Sequence, residues 1–156
     1  GATTAPGGSA ADGAKTGSVP EVLPWLRTCP LTEKAKGRIM VVDDEPVLRD
    51  MMAEMLRSRG YEVTTARDGV DALEIYRKEW GKIDLVIVDL IMPRLGGLET
   101  FRRVVGMNRN ARVLLCSGNA QHALAQQALQ EGAVGVLPKP FGMSELAGWV
   151  EKGLAA

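Results

Sequence analysis

The sequence predicts an α/β domain with a doubly wound, five-stranded parallel sheet in the order 2-1-3-4-5. Short apolar runs without polar alternation, of which 85–88 (LVIV) is the clearest, suit strands covered on both faces. Segments with helical spacing separate these runs, so strands and helices alternate five times. Such alternation implies right-handed crossovers, and five strands fit the smaller doubly wound order, whose ligand crevice lies between strands 1 and 3.

The predicted elements begin at Gly37. Pro46 opens the first helix, where its missing N–H costs nothing, and Gly60 ends it. Asp68 is expected to cap the second helix. In order, the predicted segments are strand 38–42, helix 46–60, edge strand 61–66, helix 68–80, strand 83–88, helix 98–105, strand 111–116, helix 120–131, strand 133–137 and helix 144–153. Met51, Met52 and Met55 are interpreted as packing residues of the first helix.

The first 36 residues are predicted to lie outside the domain, which spans 37–154. Residues 1–18 are almost all Gly, Ala, Ser, Thr and Pro, which is typical of a flexible linker. Residues 19–36 carry apolar side chains between prolines, and we interpret them as a stiffened linker. The alternative is a docking segment whose Trp25 packs on the domain or on a partner.

Composition narrows the class of protein. Lys+Arg and Asp+Glu are equal at 19 each, which gives no support for a nucleic-acid partner or an anionic membrane. No apolar run approaches the roughly 18–20 residues that span a bilayer, and no signal peptide is recognisable. The two cysteines lack metal-type spacing and fit a reducing compartment, so we expect a cytoplasmic, bacterial location. Because residue 1 is Gly, we expect a processed chain or a piece of a longer one.

Polar side chains follow four of the five predicted strands. Asp43 and Asp44 follow strand 1, Asp89 follows strand 3, Ser117 follows strand 4 and Lys139 follows strand 5. Parallel strands end at one edge, so these groups should face one crevice. Clustered carboxylates repel, and Mg²⁺, which prefers oxygen ligands, would relieve the repulsion. A lysine and a hydroxyl beside it suit a phosphoryl group.

Each of these residues also has an ordinary explanation when taken alone. Asp89 could simply form a turn, Ser117 could be a turn serine, and Lys139 could be a solvated loop lysine. Their placement at four strand ends makes coincidence improbable. No GxxxxGK[ST] sequence is present, which argues against a nucleoside triphosphatase.

On these residues the sequence resembles the receiver domain of two-component response regulators. The matching segments are 39–46 (IMVVDDEP), 85–93 (LVIVDLIMP), 114–118 (LLCSG) and 135–141 (GVLPKPF), and the resemblance spans about 37–154. It implies a flavodoxin-like fold of the receiver type. It also implies that Asp89 is the phosphoacceptor.

The resemblance implies roles for the other site residues as well. Asp44 would hold Mg²⁺ directly, and Asp43 would do so partly through water. The backbone carbonyl of Ile91 would be a further metal ligand. Ser117 would bind a phosphoryl oxygen, and Lys139 would pair with the phosphoryl group. The peptide bond between residues 139 and 140 would be cis, a conformation that has a low free-energy cost only in X–Pro bonds.

The resemblance further implies partners and chemistry. The phosphoryl donor would be a phosphohistidine of a sensor histidine kinase or a phosphotransfer protein. The chemistry would be limited to Mg²⁺-dependent self-phosphorylation and slow autodephosphorylation. A homodimer could form through the face of helix 4, strand 5 and helix 5. No contact with nucleic acid or membrane is expected of this segment.

Val136 departs from what the family usually carries, and Ile91 bears on how long the phosphoryl group survives. Val136 stands at the switch position, where receivers usually have Tyr or Phe, so the usual relay to the output face is in doubt. Ile91 and Asn119 flank the path of the hydrolytic water in this family. An apolar Ile91 offers that water no hydrogen bond, so we expect slow self-dephosphorylation.

His122 is interpreted as a surface residue and Cys116 as a small buried one.

Several functional alternatives remain open. The domain could belong to a hybrid sensor kinase, which the Gly/Ala-rich leader favours, or it could be a stand-alone response regulator. An aspartyl phosphatase would need a carboxylate two residues after the nucleophile, and Ile91 at that position argues against this alternative. A degenerate receiver that acts only as a binding module is disfavoured by the acidic set and Lys139, although Val136 keeps it open.

Overall fold

A computed structural model describes residues 35–118 and 121–156. Nearly all of the predicted linker 1–36, its Trp25 alternative and the interpretation of Asn119 therefore lie outside the described residues. The strands are β1 (Arg38–Val42), β2 (Glu62–Ala66), β3 (Leu85–Asp89), β4 (Val113–Ser117) and β5 (Gly135–Pro138). The helices are α1 (Pro46–Ser58), α2 (Gly69–Glu79), α3 (Gly97–Met107), α4 (His122–Gln130) and α5 (Met143–Ala155), and a 3-10 turn (Trp80–Lys82) precedes β3.

The sheet has the predicted topology. All four strand pairings are parallel, and the order is β2-β1-β3-β4-β5, which confirms the doubly wound fold and the edge position of β2. Val42 pairs with Val88, Asp89 pairs with Cys116, and Ser117 pairs with Pro138. This register brings the carboxyl ends of β1, β3, β4 and β5 to one edge of the sheet.

Helices cover both faces of the sheet, which explains the unbroken apolar runs. In β1, Ile39 and Val41 face a core shared with α1 and α5, whereas Met40 and Val42 face a core shared with α2, α3 and α4. A strand that is buried on both sides needs an apolar residue at every position. All five residues of β3 and of β4 are buried, and the only polar ones, Asp89 and Ser117, are the last residues of their strands.

The interpretation of the first-helix methionines is only partly right. Met52 is fully buried on the inner stripe of α1 with Ala53 and Leu56. Met51 is 49% exposed and Val47 is 74% exposed, so the prediction that Met51 packs inside is wrong. The inner stripe follows the spacing 52, 53 and 56, which turns position 51 towards solvent at 100° per residue.

The element boundaries lie within two residues of the predicted ones, and the connection between α4 and β5 shows one cause of the difference. Gly132 has a φ of +107°, and the N–H of Ala133 donates to the carbonyl of Ala128. Residue 133 therefore belongs to the turn that terminates α4, and β5 begins two residues later than predicted. At α2 the predicted cap is confirmed, because Asp68 accepts a 2.9 Å hydrogen bond from the N–H of Asp71. No helix within the described ranges is long and apolar enough to cross a membrane.

Candidate functional site

Three carboxylates meet at the carboxyl edge of the sheet. Asp43 follows β1 directly and Asp89 is the last residue of β3, and these strands are neighbours. One oxygen from each of Asp43, Asp44 and Asp89 lies within 4.8 Å of the others. Asp43 and Asp89 are buried, whereas Asp44 is exposed. The structure thus brings together the three acidic residues that the sequence selected.

Lys139 reaches this acidic cluster from the end of β5. Its Nζ atom lies 2.9 Å from Oδ2 of Asp89 and 3.5 Å from Oδ2 of Asp43. Its backbone N–H donates to the carbonyl of Ser117 at 2.7 Å, which ties the loop after β5 to the end of β4. The bond between Lys139 and Pro140 is cis, as expected.

The charges of this cluster act on one another through a largely buried site. Burial is the main reason that the pKa of the Asp43 carboxyl lies above its usual range. The charges of Asp89 and Asp44 raise that pKa further, against the opposing effects of a backbone N–H and Lys139. Burial alone lowers the pKa of the Lys139 ammonium, but its hydrogen bond to Asp89 and the two nearby carboxylates outweigh burial and raise it. The surroundings of Asp43 therefore disfavour the ionised form of its carboxyl.

Backbone contacts hold Asp43 in place. Its Oδ1 accepts a 2.9 Å hydrogen bond from the N–H of Glu45, and its own N–H donates to the carbonyl of Ala66. The guanidinium of Arg49 donates to the Asp43 carbonyl at 3.0 Å. The sequence reasoning missed Arg49, which stands six residues later in α1, because an arginine on a helix carries no signal of this contact.

Ser117 and Ile91 each carry an oxygen that makes little or no hydrogen bonding within the described residues. Ser117 ends β4 and is buried, and within the described residues its hydroxyl makes one long contact, 3.4 Å to the carbonyl of Gly118. Ile91 lies in the loop after β3, and its residue is 52% exposed. Across residues 35–118 and 121–156, no protein donor hydrogen-bonds to the Ile91 carbonyl. Both oxygens remain available for a ligand.

Gly97, the first residue of α3, packs closely against the backbone of Asp89 and Leu90. The sequence reasoning also missed this contact. Its N–H donates to the carbonyl of Leu90 at 2.8 Å. A Cβ at this position would collide with the carbonyl oxygen of Asp89 and lie 2.7 Å from the Cα of Leu90. The first turn of α3 can approach the end of β3 this closely only because residue 97 has no side chain.

The remaining predicted residues lie beside the site or away from it. Cys116 is buried next to Asp89 in the sheet, and burial together with the Asp89 charge raises the pKa of its thiol to about 12. It is therefore a packing residue, as interpreted. His122 is exposed at the first position of α4. Val136 is half-buried in β5 and packs against the core under α2, α3 and α4.

Comparison with known proteins identifies the family. A family model described as the response regulator receiver domain matches residues 39–151. The chain belongs to this family. A solved receiver domain protein from Clostridium thermocellum superposes with a TM-score of 0.74 at 28% identity, covering 76% of this chain and 94% of that one. Membership in the receiver family and the flavodoxin-like fold are thus both confirmed.

Curated relatives of this receiver domain differ in their architecture. Sensor kinase CckA of Brucella abortus is 34% identical over 114 residues, which cover 73% of this chain and 12% of the kinase. Chemotaxis protein CheY of Treponema pallidum is 35% identical over 116 residues, which cover 72% of this chain and 81% of CheY. This chain therefore spans about an eighth of the kinase and most of the chemotaxis protein.

Proposed function

We propose that the receiver domain, residues 37–154, accepts a phosphoryl group on Asp89 from a phosphohistidine of a sensor histidine kinase or phosphotransfer protein. The observation that carries this proposal is the cluster of Asp43, Asp44 and Asp89 with the ammonium of Lys139 bonded to Asp89. An acidic cluster in which Asp43 and Asp89 are buried, with one fixed cation beside it, fits a ligand that has both anionic oxygens and an associated metal ion.

The donor atoms of the site fit Mg²⁺. Oxygens of Asp43, Asp44 and Asp89 lie within 4.8 Å of one another, and the carbonyl of Ile91 has no protein donor within the described residues. These four groups would hold the ion, because Mg²⁺ takes oxygen ligands and keeps some of its waters. When bound, the ion supplies positive charge against the phosphoryl oxygens. The Mg²⁺ ligation is part of the proposal.

The residues of this chain supply position and charge. The Asp89 carboxylate attacks the phosphorus in line, a new O–P bond forms, and the N–P bond of the phosphohistidine breaks. The leaving imidazole keeps the electron pair and takes up a proton from solvent. Lys139, which already bonds Asp89, pairs with the phosphoryl oxygens, and the hydroxyl of Ser117 donates to another of them. Water later cleaves the acyl phosphate and returns the free carboxylate.

Intact mass measurement tests the proposal. The protein is incubated with acetyl phosphate and MgCl₂, in parallel with the Asp89→Asn variant and with Asp84→Asn. Asp84 lies just before β3, at the opposite edge of the sheet, which makes it a matched control. We expect the parent and Asp84→Asn to gain one phosphoryl group and Asp89→Asn to gain none. No gain in the parent, or an undiminished gain in Asp89→Asn, would overturn the assignment.

The type of protein that contains this receiver domain, and the surface that responds to phosphorylation, are also proposals. We favour the receiver of a hybrid sensor kinase, because of the similarity to a segment of sensor kinase CckA. A stand-alone regulator is the alternative, supported by the similarity to CheY over most of its length. A cytoplasmic location rests on the family alone. With Val136 at the switch position, a face formed by α4, β5 and α5, including any homodimer there, would respond to phosphorylation without an aromatic rotamer change.

A further inference from the structure

The loop between β3 and α3, residues 90–96, is fastened to the start of α2 by one ion pair. The guanidinium of Arg94 donates to both oxygens of Asp68, with Nε 2.7 Å from Oδ2 and Nη2 3.0 Å from Oδ1. These residues are 26 positions apart in the chain and belong to different elements. Bidentate arginine–carboxylate pairs fix orientation as well as distance.

The carboxylate of this pair is itself held firmly. Asp68 is buried and caps α2 by accepting the N–H of Asp71 at 2.9 Å. The hydrogen bond from Arg94 is the main reason that the pKa of the Asp68 carboxyl lies below its usual range. Asp68 is therefore an ionised, fixed anchor and not a mobile surface acid.

The backbone at Arg94 adopts a conformation that few side chains take. Its φ is +67°, and it is the one non-glycine residue with a positive φ among those described. A left-handed conformation at a long side chain is unfavourable unless surrounding contacts impose it. The bidentate contact with Asp68 is such a contact. The shape of the loop at Arg94 and the ion pair therefore depend on each other.

Close packing joins the same two elements next to the ion pair. A Cβ at Gly69 would lie 2.7 Å from the carbonyl oxygen of Leu95 and would collide with the hydroxyl of Thr100. That hydroxyl donates to the carbonyl of Gly96 at 2.8 Å. The second half of the loop thus rests directly on the first turn of α2, and a shift of either element moves the other.

The first half of the loop carries the proposed metal ligand. Leu90 is fixed by hydrogen bonds with Cys116 and Gly97, but the carbonyl of Ile91 has no protein donor within residues 35–118 and 121–156. Within those same residues, the two bonds of Arg94 to Asp68 are the only side-chain hydrogen bonds that segment 91–95 makes. Met92, which follows Ile91, is buried in the core. Packing at Met92 and the ion pair at Arg94 therefore together hold the segment that carries the Ile91 carbonyl.

We propose that Asp68 and Arg94 are positioning residues for the metal site, which hold the Ile91 carbonyl at the place where Mg²⁺ is bound. This inference rests on the proposed function, since it takes Ile91 as a metal ligand. Neither side chain touches the ion. Residues that orient metal ligands typically affect affinity strongly although they make no direct contact.

Calorimetric titration of the metal-free protein with MgCl₂ tests the pair. The variants are Arg94→Asn and Asp68→Asn, because Asn tolerates a positive φ and also remains a good helix cap. We expect each variant to raise the Kd for Mg²⁺ about tenfold. The double variant should be little weaker than either single one, because the two residues act as a unit. Arg94→Lys, which keeps the charge but not the bidentate contact, should lie between Arg94→Asn and the parent.

A second bidentate ion pair provides the control. Arg102 donates to Glu131 at 2.8 and 2.7 Å and joins α3 to the end of α4, away from the loop. Arg102→Gln should leave the Kd for Mg²⁺ unchanged. Thermal unfolding in EDTA shows which variants are folded, and if Arg94→Asn is not, Asp68→Asn and Arg94→Lys decide the test.

The outcomes separate this inference from the proposed function. A folded Arg94→Asn or Asp68→Asn with a Kd within about twofold of the parent would refute the positioning role, as would an equal loss in Arg102→Gln. A parent that binds no Mg²⁺ would refute both the metal site and the pair. Mg²⁺ binding by the parent without phosphoryl uptake from acetyl phosphate would count against the proposed function alone.

Discussion

The Nζ atom of Lys139 is hydrogen-bonded to Oδ2 of Asp89 at 2.9 Å, from a loop fifty residues further along the chain. The same ammonium lies 3.5 Å from Oδ2 of Asp43. One lysine therefore partly neutralises two buried carboxylates. A metal ion that binds these oxygens must compete with the Lys139 ammonium for them. A phosphoryl group on Asp89 would lie within reach of the same ammonium.

Replacing Lys139 by Met should affect metal binding and phosphorylation in opposite directions. Loss of a competing positive charge should tighten Mg²⁺ binding by about three- to tenfold, as measured by calorimetry. The rate of phosphorylation by acetyl phosphate should fall by about tenfold or more, because the phosphoryl oxygens lose their fixed cation.

The control for this variant is Lys82→Met, which removes an exposed lysine from the 3-10 turn before β3, at the opposite edge of the sheet. Lys82→Met should change neither the affinity for Mg²⁺ nor the rate of phosphorylation by acetyl phosphate. Weaker Mg²⁺ binding in Lys139→Met would show that the lysine supports the metal site and does not compete with it.

Asp43→Asn should stabilise the metal-free protein at neutral pH. Asp43 is 1% exposed, and burial raises the pKa of its carboxyl, so the ionised form opposes folding. Asn can still accept the N–H of Glu45 but carries no charge. We expect the free energy of unfolding in urea to rise by about 1 kcal/mol at pH 7 in EDTA.

The stability gain of Asp43→Asn should depend on pH in a defined direction. Since the folded-state pKa of Asp43 lies above the unfolded value, the folded parent binds the extra proton first, and its stability rises as pH falls through that range. The advantage of Asn should therefore shrink with falling pH and vanish below the unfolded pKa of about 3.9. A variant that is less stable than the parent at pH 7 in EDTA would contradict this account.

The strand-end residues could be predicted because each follows an apolar run. Asp43 and Lys139 stand directly after β1 and β5, and Asp89 is the last residue of β3, so parallel topology alone brings them to one edge. The pairing of Arg94 with Asp68 could not be predicted in this way. It depends on a positive φ within a loop and on how closely α2 approaches that loop, and neither is visible in hydrophobic periodicity.

The solvent-facing side of α1 shows a second limit of sequence reasoning. Met51 and Met52 are adjacent and chemically identical, yet one is half exposed and the other is buried. Periodicity marks an apolar stripe but does not fix its edges, because a residue at the margin is buried only if a neighbouring element covers it.

Gly97→Ala should destabilise the protein and impair phosphorylation together. The added Cβ would collide with the backbone of Asp89 and lie 2.7 Å from the Cα of Leu90, so α3 or the end of β3 must shift. Overpacking of this kind costs about 1–3 kcal/mol, measurable by urea unfolding. The control is Gly106→Ala in the same helix, where a Cβ meets nothing within 4 Å. That control should gain about 0.5–1 kcal/mol, so equal stabilities of the two variants would refute the close approach.

Ile91→Asn should shorten the lifetime of the phosphoryl group on Asp89. Ile91 is 52% exposed, so the substitution leaves the core intact and changes what an approaching water meets. An amide can hold that water by one hydrogen bond, worth about 1 kcal/mol, which corresponds to a rate increase of about three- to tenfold. The protein is phosphorylated with acetyl phosphate and desalted, and the loss of the phosphoryl group in MgCl₂ is followed by intact mass. Ile91→Val keeps the position apolar and should decay like the parent, so equal decay of Ile91→Asn and Ile91→Val would mean that this side chain does not limit access of water.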